Sequence, residues 1–83
     1  MMQQIVRLPS QLGAIIRSER LRQGMTQAEL ASLTGTQQKT ISAIETGSAG
    51  TKLDTLLGVI ARLALDIQIV PRQRGGDAIE DVF

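Results

Sequence analysis

The chain has 83 residues, a net charge of +1, no cysteine, no histidine and a single aromatic, Phe83, at its last position. That length is one small domain burying only about 60% of its unfolded surface, and the missing residue types exclude disulfides and a Cys or His zinc site. Without them most nucleophilic and general-base arrangements have no members, so neither catalysis nor a cofactor is expected and the core must be aliphatic.

In chain order, Pro9 and Ser10 precede apolar residues at helical spacing, Leu12, Ile15, Ile16 and Leu21. With Ser10 as N-cap and Gly24 beyond the end, the spacing predicts a first helix over residues 11–23. Thr26-x-x-Glu29 is a capping-box signature, opening a second helix over residues 27–33 that Gly35 stops. A third helix over residues 38–45 places Ile41 and Ile44 inward and Gln38, Lys39, Ser42 and Ala43 toward solvent, and Gly47 ends it. Thr51-x-x-Asp54 reads as a looser capping box for a fourth helix over residues 53–63. The period then changes to two. Leu65, Ile67 and Ile69 alternate with Asp66, Gln68 and Val70, a half-buried strand stopped by Pro71. Residues 72–83 are charged and interrupted by Gly75-Gly76, and read as a flexible tail.

No run of about 18 apolar residues is present, and the N-terminus lacks a signal-peptide pattern. A cytoplasmic protein is expected. The small net charge hides an asymmetry: residues 1–52 hold six bases against three acids, and residues 53–83 hold three bases against five acids. Counts this small also fit ordinary solvated faces.

Residues 27–45 are the most specific stretch. Two short helices joined by a glycine turn, the second with a polar, acid-poor face, make a helix-turn-helix, whose second helix lies in the DNA major groove. Gln can pair bidentately with adenine, Lys donates to guanine, and Ser serves either. Gln38, Lys39 and Ser42, with Ala43 beside them, are the candidate base contacts.

These residues resemble the helix-turn-helix domain of lambdoid phage repressors and Xre-type regulators. The matching residues are Thr26-Gln27-Ala28-Glu29-Leu30-Ala31, Gly35, Thr40-Ile41-Ser42, Ile44-Glu45-x-Gly47 and Leu53-Asp54-Thr55-Leu56-Leu57. The resemblance covers residues 10–65 and implies an all-α, lambda-repressor-like domain of four to five short helices, with one C-terminal strand pairing across a homodimer. One departure is Thr34 and Thr36, which flank the turn glycine where the family often has Val or Ile. By position in the family, Gln27 binds backbone phosphate, and Arg20 pairs with Glu45. Thr26, Gln37, Thr40, Ser48 and Lys52 are further phosphate candidates, although Thr40 reads equally well as making no contact. Arg17 and Arg22 read equally well as surface charges.

The strand after the fourth helix is similar to that of HipB-type antitoxins, small domains that dimerise partly through such a strand and bind a HipA-type kinase toxin. The implied organisation is an arm at 1–9, a DNA-binding domain at 10–64, a dimerisation strand at 65–71 carrying Leu65, Ile67 and Ile69, and a tail at 72–83. In the tail, Ile79, Val82 and Phe83 either contact the toxin or have no role. Partners implied are operator DNA, a second copy and a kinase toxin; the alternative is a stand-alone Xre-type repressor.

Overall fold

The computed structural model describes residues 4–48 and 50–72. Four helices follow in order, α1 (Pro9–Arg22), α2 (Gln27–Thr34), α3 (Gln38–Thr46) and α4 (Leu53–Arg62), and among the described residues no strand is formed. The tail residues Ile79, Val82 and Phe83 lie outside the described residues.

Of the three helix starts for which the sequence offers a capping signal, one forms it and two do not. At α2 both halves of the capping box form: the Glu29 amide donates to Thr26 Oγ1 at 3.0 Å, and the Thr26 amide donates to Glu29 Oε1 at 2.7 Å. Ser10 is not the cap of α1. The helix starts earlier, at Pro9, because the ring presets φ and the missing amide is one a first turn cannot satisfy anyway. The cap residue is Leu8, which has no side-chain acceptor. Gln11 compensates by accepting from the amides of Arg7 at 2.6 Å and Leu8 at 3.0 Å. The box expected at Thr51 and Asp54 does not form either. Lys52 is the cap of α4, which leaves Asp54 one position short of the spacing a box requires.

All four helices end alike. A left-handed residue follows each one, Gly24, Gly35, Gly47 and Ala64. The next amide then bonds back across the final turn, Met25 to Arg20, Thr36 to Ala31, Ser48 to Ala43 and Leu65 to Ile60, at 2.9–3.1 Å. Thr34, the departure in the turn, donates its hydroxyl to the Leu30 carbonyl at 2.8 Å, so the half-buried side chain leaves no polar atom unpaired.

Helix α3 packs between α1 and α2, and α2 packs on α4. The core is Ile16, Leu30, Ala31, Ile41, Ile44, Val59, Ile60 and Leu63, with Leu12, Met25, Leu56 and Leu65 packed around it. The α1–α3 crossing is close because Gly13 has no side chain: a Cβ there would lie 2.3 Å from the Ile44 carbonyl oxygen and 2.6 Å from that of Glu45. Gln23 ties the far end of α1 to the end of α4 by donating to the Leu63 carbonyl at 2.9 Å.

Beyond α4 the alternating segment divides. Leu65 turns onto the core, whereas Ile67 is 50% and Ile69 95% exposed. A strand is defined by its ladder, and among the described residues there is no second strand for this segment.

Candidate nucleic-acid interface

The first turn of α3 presents Gln38 and Lys39, both exposed, after the exposed cap residue Gln37. One turn on, Ser42 and Ala43 are half-buried, so the face expected to point wholly to solvent is graded, open at its start and partly shielded behind. Thr40 is half-buried too. Ser48 and Lys52 are exposed at the two ends of the loop before α4. Thr26 is exposed at the start of α2, with its oxygen and amide both used by the capping box.

Behind this surface lies a buried polar cluster. Arg20 Nε donates to Glu45 Oε2 at 2.6 Å and Arg20 Nη2 donates to Glu45 Oε1 at 3.0 Å, a two-point pairing of fork and carboxylate. Arg20 Nη1 donates to the Met25 carbonyl at 2.8 Å, which secures the link between α1 and α2. Burial pushes the Glu45 carboxyl up, but hydrogen bonds from Arg20 and Gln27 and the charges of Arg20 and Arg17 outweigh it and hold the group below its ordinary pKa. Nearby, Arg22 and Gln23 both bond Glu19 and hold its carboxyl down at about 2.

Gln27 belongs to this cluster as well as to the surface. Its Nε2 donates to Glu45 Oε1 at 3.1 Å, and its Oε1 faces Gln38 Nε2 at 3.5 Å, the outer limit of hydrogen-bond reach. The start of α2, the start of α3 and the buried ion pair are thereby joined. Nothing in the spacing of Gln27 and Glu45 announces that link, which depends on how the two helices cross. Among the described residues, no group of three or more acids, Cys or His could hold a metal ion, and no helix is long and apolar enough to cross a membrane.

The chain matches the helix-turn-helix family model over residues 16–70. No curated protein matches it significantly. Among solved structures it is similar to HipB in a HipA–HipB–O2–O3 complex, with 31% identity and a TM-score of 0.78 over 86% of this chain and 100% of that one. A HipB variant in complex with an O2 20mer gives 33% identity and a TM-score of 0.76 over 88% of this chain and 100% of that one. The wild-type restriction-modification controller protein C.Esp1396I gives 29% identity and a TM-score of 0.63, covering 75% of this chain and 80% of that one. On the matched model, the four-helix architecture and these relatives, the chain belongs to the Xre-type helix-turn-helix family of DNA-binding regulators, with HipB antitoxins among its structural relatives.

Proposed function

We propose that this chain is the antitoxin and autorepressor of a toxin–antitoxin operon, acting as a homodimer that binds operator DNA and neutralises a HipA-type kinase toxin. The likeness to HipB from a HipA–HipB complex, over the whole length of that chain, carries this reading.

In this reading the start of α3 enters the major groove. Gln38 and Lys39 meet base edges, with Ser42 and Ala43 following. Gln27 and Thr26 at the start of α2, the α3 cap residue Gln37 with Thr40 in its first turn, and Ser48 and Lys52 on the loop meet backbone phosphates, where helix N-termini favour anions. Residues 65–71 pair with their counterpart in the second copy, setting two recognition helices about one DNA turn apart. The tail, through Ile79, Val82 and Phe83, docks on the toxin. Repression is by occlusion of the promoter, and no covalent step is involved.

Footprinting on DNA upstream of the gene tests the interface. Gln38→Ala and Lys39→Ala should each cost about 1–3 kcal/mol at particular bases, whereas Gln27→Ala should weaken all sequences alike. The opposite division rejects the assignment of α3. The toxin claim is tested by co-expression with a kinase-like reading frame beside the gene. Toxicity relieved by this chain supports the claim, and toxicity that persists rejects it. The likeness to C.Esp1396I favours, as second reading, a repressor with no toxin partner.

A further inference from the structure

We propose that Arg17 is a DNA-phosphate contact at the outer edge of the helix-turn-helix, a role that rests on the DNA-binding reading and adds a residue to it. Helix α1 carries three arginines, and two are spent. Arg20 is buried against Glu45 and the Met25 carbonyl, and Arg22 is paired with Glu19. Arg17 is exposed and makes no hydrogen bond or ion pair among the described residues.

Its place on α1 is not arbitrary. Gly13, Arg17 and Arg20 lie on one face of the helix, being four and three residues apart. Gly13 is pressed onto the backbone of Ile44 and Glu45, and Arg20 is locked onto Glu45. Arg17 is therefore held between two fixed points, beside the end of α3. Its charge is felt at Glu45, whose carboxylate holds Gln27 at the start of α2. The Arg17 guanidinium and Gln27 at the positive end of α2 thus both act on the same carboxylate, and the acid in the first turn of α2, Glu29, is occupied by its capping box. The nearest buried acid, Glu45, is already neutralised by Arg20. A planar, permanently charged fork with no partner of its own suits a phosphate oxygen.

The test is the salt dependence of binding to two short duplexes, the promoter region of the gene and a random sequence, by fluorescence anisotropy between about 50 and 200 mM salt. Arg17→Gln should lower the slope of log K against log salt by about one on both duplexes. Arg17→Lys should keep the slope, and Arg22→Gln, which removes an already paired charge, should leave it unchanged. Circular dichroism should show the Arg17→Gln variant folded as the wild type is. A wild-type slope for Arg17→Gln overturns the inference, as does an equal loss for Arg22→Gln, which would mean a general field effect. A wild type with no salt-dependent DNA affinity overturns the DNA-binding reading itself, and this contact with it.

Discussion

At Glu45 burial and charge pull in opposite directions, and the hydrogen bonds from Arg20 and Gln27 decide the outcome. Its folded pKa lies below the ordinary 4.5, so the folded state holds fewer protons there than the unfolded chain. The stabilisation is fully present above about pH 4.5 and is lost as pH falls through the depressed folded value. Thermal melts should show the midpoint falling with pH below that point. A variant carrying Arg20→Met and Glu45→Leu should fall less steeply, with the remaining slope reporting Glu19, whose carboxyl is held at about 2. Glu45→Gln alone should cost about 3–5 kcal/mol in urea unfolding, because it strands a buried arginine, while the apolar pair should cost far less. Ala64 is the other exceptional residue. Among the described residues it is the one left-handed position outside glycine, at φ 61°, and a side chain there costs about 1–2 kcal/mol. Ala64→Gly should therefore raise the melting midpoint by a few degrees, even after the greater chain entropy of glycine is counted.

The elements were legible wherever a short-range rule acts without a rival. Thr26 and Glu29 define the start of α2 from three residues away, and Gly24, Gly35 and Gly47 mark helix ends that need a left-handed residue. The start of α1 misled because two local signals compete, whereas α4 begins at Leu53 as its spacing predicts and only its cap differs. Proline at the first helical position displaced Ser10, and Lys52 displaced Thr51. How close two elements come was not legible at all. Gly13 and Gly58 both sit inside helices, yet a Cβ at Gly13 would meet the α3 backbone at 2.3 Å, while one at Gly58 would meet nothing within 4 Å. The two positions should respond oppositely to alanine. Gly13→Ala forces α1 away from α3 and should destabilise by at least about 1–3 kcal/mol. Gly58→Ala should stabilise by about 1 kcal/mol, the ordinary helix-propensity gain. Equal responses in chemical denaturation would contradict the close crossing.

For the whole molecule, the apolar side chains of α4 and of the segment after it are only partly used by the core. Leu53, Leu57, Ile67 and Ile69 remain exposed, the last at 95%. In the proposed homodimer a second copy covers that surface, so the melting midpoint should rise with protein concentration. Ile69→Lys should abolish that dependence and weaken operator binding, because two half-sites are no longer engaged by one particle. Sedimentation velocity checks the first statement and anisotropy the second. A monomeric wild type, or a dimeric Ile69→Lys, contradicts the dimer.

The sequence by itself determined the order and the approximate span of the helices, the aliphatic core and the polar start of α3. Each of these follows from periodicity or from contacts a few residues apart. Gln38 and Lys39 are exposed for that local reason. Tertiary structure alone decided that Gln27 hangs from Glu45, that Gln23 reaches Leu63, and that of three arginines on α1 only Arg17 is left unpaired among the described residues. Those partners are brought together by helix crossings, and a crossing depends on packing across the whole core rather than on any spacing along the chain.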